Sequence, residues 1–228
     1  MNPKLYCFQC MRLLETEDQV CPHCGHDNHK RSNGNGFLPF STVRKRYIIG
    51  KALGRGGFGV TYIGMDLSLE RRVAIKEYFP GQLVNRASDQ SSLIPNDEES
   101  RVTFEHGRER SMLEARTIAR LNDVSDTVNV YDVFIANNTL YIVMEYIEGE
   151  TLRARVNHGG GKLRPNDVFS MLQPIFGALI NIHHQGIIHR DVGPDNIMFR
   201  NSNGRAVLLD FGAAHELEPD LESELSTN

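Results

Sequence analysis

The sequence predicts an α+β chain in three stretches: a small cysteine-bearing head, a five-stranded antiparallel sheet with one helix, and the start of a helical region. Three observations predict it. All four cysteines fall within residues 1–27. Runs rich in Val, Ile and Tyr recur between residues 47 and 147, separated by turn-prone residues. After residue 151 the apolar pattern becomes helical. The composition of the 228 residues, 40% hydrophobic and 24% charged, is that of an ordinary globular chain. A net charge of −4 supplies no basic field for nucleic acid or a membrane surface. No apolar run approaches the roughly 18 residues that span a bilayer, and MNPKLYCFQC lacks the apolar stretch of a signal peptide. A cytoplasmic chain is expected, with an anchor beyond residue 228 left open.

The head, residues 1–27, reads C-x2-C-x10-C-x2-C through Cys7, Cys10, Cys21 and Cys24. Each C-x2-C forms a turn that points two thiolates at one ion, and two such turns complete a tetrahedral sulfur site suited to Zn2+. So short a segment buries little core, so metal supplies most of its folding free energy. The competing reading is two disulfides in a secreted domain, against which nothing in the sequence signals export. His23, His26 and His29 read as polar surface rather than ligands. Residues 1–31 carry four basic and four acidic side chains, which argues against a nucleic-acid role for this ribbon. Residues 28–43, polar and glycine-rich, read as a linker.

Residues 44–228 form the second domain. YIIGKAL, VTYIGMDL and RRVAIKEYF read as three strands. Residues 80–98 read as loop. Residues 99–121 read as a charged helix with Phe104, Met112, Ile118 and Leu121 as apolar positions. VNVYDVFIA and TLYIVMEYI read as a hairpin turning at Asn137 and Asn138. A long helix is expected from Pro165 to Gly186, kinked at Pro174. Short strands follow around residues 187–189, 196–200 and 206–211.

Residues 53–61 run Leu53, Gly54, Arg55, Gly56, Gly57, Phe58, Gly59, Val60 and Thr61, so Gly54, Gly56 and Gly59 make G-x-G-x-x-G. Dinucleotide-binding folds use this spacing where the glycines open a helix. Here β-type residues follow, which favours a turn between two strands, folded over phosphates that glycine backbone can approach closely. Seventeen residues past Gly59 stands Lys76, last of VAIK. Strand alternation puts Ala74 and Lys76 on one face. Ala74 is small enough to admit an adenine ring, and Lys76 reaches toward phosphates.

With HRDVGPDN at 189–196 and DFG at 210–212, the chain resembles the eukaryotic-type protein kinase family over about residues 47–215. The ribbon, the EYFP after Lys76 and the long loop that follows resemble a bacterial subgroup. The resemblance implies a kinase N-lobe, the start of a helical C-lobe, and ATP with Mg2+. It implies that Lys76 contacts the α- and β-phosphates and pairs with a helix glutamate, Glu114 being preferred over Glu105 and Glu109. It implies that Asp191 receives the substrate hydroxyl, that Asn196 and Asp210 bind Mg2+, and that Met144 lies behind the adenine. The backbone of Glu145 and Ile147 would bond the adenine edge, and His189 and Arg190 would be scaffold. No tyrosine-kinase pattern follows HRD, so Ser/Thr hydroxyls of proteins are the expected acceptors.

Two departures stand out. Position 193, where the family usually has lysine, is Gly193. Only sixteen residues follow Gly212, with no APE motif, five acids between Glu216 and Glu224, and Ser223, Ser226 and Thr227 where an activation-loop phosphosite falls. The chain therefore reads as a kinase domain incomplete at its C-terminus. A pseudokinase or regulatory binding module is the alternative.

Overall fold

The computed structural model describes residues 2–17, 19–34, 36–211 and 215–216. Gly212, Ser223, Ser226 and Thr227 lie outside the described residues. Backbone packing divides the chain into two units, the first made of Met1–Ala115 with Asn129–Tyr146 and the second of Arg116–Val128 with Ile147–Asn228.

The first unit is built on β1 (Ser41–Val43), β2 (Tyr47–Arg55), β3 (Gly59–Asp66) and β4 (Arg71–Tyr78), then a hairpin of β5 (Val84–Arg86) and β6 (Leu93–Pro95), helix α1 (Glu98–Ala119) as far as Ala115, and β7 (Val130–Ala136) with β8 (Thr139–Glu145). The main sheet runs β1-β2-β3-β4-β8-β7, antiparallel throughout. It has six strands rather than the five expected, because the short β1 adds to β2. Alternation in β4 buries Val73 and Ile75 in one core with Tyr62, Tyr141, Val143 and Phe104. At the β7–β8 turn Asn137 and Asn138 both adopt positive φ, 50° and 57°. Asparagine tolerates the left-handed region, and this geometry follows the twist of a two-residue hairpin. Helix α1 starts where the Asp97 carboxylate accepts the Ser100 N–H at 2.8 Å. It packs Phe104 against the Tyr78 ring at 5.5 Å between centroids.

The stretch 80–98 is not plain loop. Asp89 accepts the N–H groups of Ser91 and Ser92, both at 2.8 Å, and so closes the turn between β5 and β6. The hairpin is tied to the β7–β8 turn by Leu93 N–H on Asn137 C=O (3.0 Å) and Asn138 Nδ2 on Leu93 C=O (2.9 Å).

The cysteine head also belongs to this unit. Its two halves repeat one geometry: Met11 N–H bonds Cys7 C=O, and Gly25 N–H bonds Cys21 C=O, each at 2.9 Å. The first half packs on the sheet, where Tyr6 and Met11 are buried with Ile48, Ile63 and Met65. The stretch read as a linker lies along the same sheet, with Leu38 fully buried in the main core.

The second unit holds β9 (Gly149–Thr151), α2 (Leu152–His158), α3 (Pro165–His184), β10 (Ile187–Ile188), β11 (Ile197–Arg200), β12 (Ala206–Leu208) and β13 (His215–Glu216). Its three-stranded sheet runs β12-β11-β9. Pro165 opens α3, Gly186 at φ 74° follows it, and the helix continues through Pro174. Ile175, Ala178 and Ile182 form its buried face. Among the described residues no helix is long and apolar enough to cross a membrane.

Candidate nucleotide and metal sites

In the first unit the glycine-rich turn joins β2 to β3 as the strand pattern predicts, since β2 ends at Arg55 and β3 begins at Gly59. Gly56 N–H bonds Gly59 C=O at 2.9 Å and closes the turn. A Cβ on Gly59 would lie 2.7 Å from the Glu77 carbonyl oxygen, so this position requires glycine. Phe58 at the tip is 76% exposed and Leu53 is 49% exposed, whereas Val60 is buried. Pairing then aligns the candidate residues across three strands. Thr61 is opposite Lys76, Lys76 is opposite Ile142, and Ala74 is opposite Met144. Glu145 donates its N–H to Asn129 C=O at 2.8 Å, and its carboxylate accepts Asn129 Nδ2 at 2.9 Å. On α1, Glu114 accepts from Arg110 Nε at 3.2 Å, and Glu105 accepts from Arg101.

Next to Lys76 stands a residue that sequence reasoning passed over. Glu77 is fully buried. Its carboxylate receives both terminal nitrogens of Arg86, one at 2.7 Å, and the hydroxyls of Tyr62 and Tyr141, each at 3.1 Å. Burial and the facing Glu77 charge push both phenol pKa values well up, so the two tyrosines remain donors.

In the second unit the residues of the HRDVGPDN loop lie together. Asn196 Nδ2 donates to Asp191 Oδ2 at 2.8 Å and to the Asp191 carbonyl at 2.9 Å. Asn196 C=O accepts the Leu209 N–H at 2.8 Å, which brings the loop to the residue before Asp210. His189 is buried, with Nε2 2.9 Å from Leu209 C=O and Nδ1 accepting the Asp191 N–H at 3.3 Å. Burial lowers its pKa below the usual histidine range and favours the neutral ring that this pattern needs. Phe211 covers the ring at 4.6 Å. Arg190 and Asp210 take positive φ, 63° and 44°, conformations that place their side chains at some backbone strain. Ile147, expected at the adenine edge, is buried. No Cβ contact lies within 4 Å of Gly193.

The ligand atoms of Cys7, Cys10, Cys21 and Cys24 lie within 4.8 Å of one another. Cys7 and Cys24 are 3.6 Å apart at sulfur, and Cys10 and Cys21 are 3.7 Å apart. A tetrahedron with ~2.3 Å metal–sulfur bonds has edges of about 3.8 Å, so the thiols fit one metal ion. The four cysteines are free thiols, and these separations are far from the ~2.05 Å of a disulfide.

Gly50 is the second residue that sequence reasoning left without a role. A Cβ there would lie 2.6 Å from Phe8 C=O and closer still to Met11 Cε. The signal was present, since a lone glycine inside the apolar run YIIGKAL marks a close approach of another backbone.

Comparison with known proteins agrees with this arrangement. Residues 47–228 match the model of the protein kinase domain. "Serine/threonine-protein kinase PknA" of Nostoc sp. (strain PCC 7120) is 33% identical over 174 residues, covering 75% of this chain and 28% of that protein. "Serine/threonine-protein kinase PknL" of Mycobacterium tuberculosis is 35% identical over 175 residues, covering 77% and 38%. "Serine/threonine-protein kinase B" of Synechocystis sp. is 31% identical over 210 residues, covering 92% and 31%. The chain thus spans 28–38% of the length of these curated relatives. The solved structure described as "PpkA-294 apo form" superposes with a TM-score of 0.71 at 34% identity, covering 78% of this chain and 62% of that one. The turn, the VAIK strand, the HRD loop and Asp210 therefore stand in a chain that belongs to the protein kinase domain family and is similar to bacterial serine/threonine kinases.

Proposed function

We propose that this chain carries the phosphoryl-transfer centre of an ATP-dependent kinase acting on Ser/Thr hydroxyls of proteins. The observation that carries the reading is the Asn196–Asp191 pair at 2.8 Å. An amide that donates through Nδ2 presents Oδ1 as a cation ligand, while the same bond orients the Asp191 carboxylate toward a hydroxyl proton. Residues 53–61 cover the phosphates, Ala74 and Met144 border the adenine, and the Glu145 carbonyl and Ile147 N–H meet its edge. Lys76 holds the α- and β-phosphates with Glu114 as its partner. Asn196 and Asp210 supply oxygen ligands to Mg2+, which neutralises phosphate charge when bound. The protein's contribution is positioning and electrostatic stabilisation of an in-line transfer.

The ribbon thiols favour zinc over harder cations because thiolate is a soft ligand, and a closed four-sulfur site favours a structural role. The reading divides the chain into a ribbon at 1–27, a connecting stretch at 28–43 and kinase residues from 44 onward. The net charge of −4 supports protein rather than nucleic-acid partners, and dependence on ATP favours the cytoplasm.

Titration calorimetry with Mg·ATP tests the assignment. Lys76→Ala and Asp210→Ala should each abolish measurable binding, and Asp191→Asn should bind nucleotide yet transfer no phosphate to a Ser/Thr peptide. Unchanged nucleotide affinity in both of the first two variants would end this reading.

A further inference from the structure

The strand that leads into the glycine-rich turn is irregular where it matters. β1 pairs with β2 only over Tyr47–Ile49. On its other side, β2 slips register against β3 twice, between Ile49 and Ala52 and again between Ala52 and Gly54. Such slips leave backbone groups without a ladder partner, and those groups need one.

Non-strand residues supply it. Phe8 C=O, inside the first cysteine turn, accepts the Lys51 N–H at 2.9 Å. Asn33 acts like a piece of strand: Nδ2 donates to Gly50 C=O at 2.9 Å, and Oδ1 accepts the Ala52 N–H at 2.7 Å. A further bond from Asn33 Nδ2 to Leu38 C=O, at 3.1 Å, fixes the side chain. Phe8 is held in turn by Asn28 Oδ1 on its N–H at 2.9 Å. Met11 shows that the docking is specific. It occupies φ 55°, where the equivalent residue of the second turn is Gly25 at φ 71°. A methionine tolerates that strained conformation here because its side chain fills the notch over Gly50 and is fully buried.

We propose that Asn33 and the first cysteine turn are positioning elements for the glycine-rich turn, so that metal held by the ribbon and nucleotide held by the lobe strengthen each other's binding. The proposal rests on the nucleotide and zinc readings above. A ribbon without metal has too little core to keep the Cys7–Met11 turn in shape. Lys51 then loses its Phe8 acceptor and Gly50 the Met11 side chain packed on it, and the root of the turn gains conformations that nucleotide must remove on binding. Linkage is reciprocal, so nucleotide must tighten metal binding by the same factor that metal tightens nucleotide binding.

The test uses the full chain under reducing conditions, with Zn2+ and a competing chelator as one probe and Mg2+ with a non-hydrolysable ATP analogue as the other. Asn33→Ala and the chelator-stripped chain should bind the analogue about five- to hundredfold more weakly than zinc-loaded wild type, the usual range of such coupling. The Asn33→Ala chain should still take up one zinc. Zinc affinity of the wild type should rise by the same factor when the analogue is present. Met11→Gly, which keeps the turn's backbone and removes the wedge, is the second variant if thermal melts show Asn33→Ala unfolded, and it should weaken the analogue in the same direction. Analogue affinity unchanged by Asn33→Ala, by Met11→Gly and by stripping, in a preparation where Lys76→Ala does not bind, overturns the proposal alone. Analogue binding that survives Lys76→Ala overturns the nucleotide reading and this proposal with it, and failure to take up zinc does the same through the metal reading.

Discussion

Gly193 stands two residues after Asp191, between Val192 and Pro194. Its backbone is not left-handed, and space around it is open. Nothing in the fold therefore demands glycine there, and a long side chain is sterically acceptable. On the proposed function, a cation at this position would meet charge that develops on the transferring phosphoryl group, an effect worth about 2–4 kcal/mol when a positioned donor is lost. Gly193→Lys should therefore raise kcat toward Ser/Thr peptides, by up to about 10²-fold, while nucleotide affinity changes little. Steady-state kinetics at saturating ATP decide it, and an unchanged kcat would mean that another cation already serves. Single residues with chemical spacing were the most legible part of this chain. Gly54, Gly59, Lys76, Asp191, Asn196 and Asp210 could be picked out because their order and spacing match the kinase motifs. Glu77 was not, because a glutamate after a lysine on a strand looks like solvated surface until its partners are seen.

The charged partner, Arg86, comes from an element that the sequence concealed. β5 and β6 have three residues each, Val-Asn-Arg and Leu-Ile-Pro, too few to show the alternation that marks a strand. The hairpin is held by Asp89 within its turn and by long-range bonds to Asn137 and Asn138, none of which has a local signature. Its clearest product is the Arg86–Glu77 pair, whose side chains are 8% and 0% exposed. Removing one member of such a pair strands a buried charge, whereas removing both does not. Arg86→Ala should therefore destabilise the chain by about 3–5 kcal/mol. The double variant Glu77→Gln with Arg86→Met should lose clearly less than the single one, measured by urea unfolding at neutral pH. Equal losses would show that the pair is not acting as a unit. The main strands and α1 and α3 were legible for the opposite reason. Each is long enough to repeat its pattern, and each carries its own ends, such as Pro165 and Gly186 around α3.

For the whole molecule, the sequence suggested beads on a string: ribbon, linker, kinase residues. The packing of the first unit differs, since the ribbon shares a core with Ile48, Ile63 and Met65 and the stretch after it contributes Leu38 to the main core. Composition could not show this, because the contact depends on what Gly50 lacks. One consequence is thermal. Anything that binds only the folded state stabilises all that unfolds with it. Stripping metal under reducing conditions should lower the melting temperature of the β-sheet unit itself, followed by circular dichroism in the strand region, and restored zinc should recover it. A sheet that melts at the same temperature with and without metal would make the ribbon an independent bead.

The docking of Phe8 and Asn33 on β2 also sets where the chain can be cut. A boundary placed at residue 44, where the kinase-like pattern begins, removes both. It leaves Ile48, Ile63 and Met65 facing water, beside a strand whose Lys51 and Ala52 N–H groups point outward with no acceptor. Bare apolar surface next to an open strand edge is a template on which a second chain pairs. The ribbon is thus also a guard on that edge: trimming it for convenience trades a soluble lobe for one inclined to assemble with its own copies.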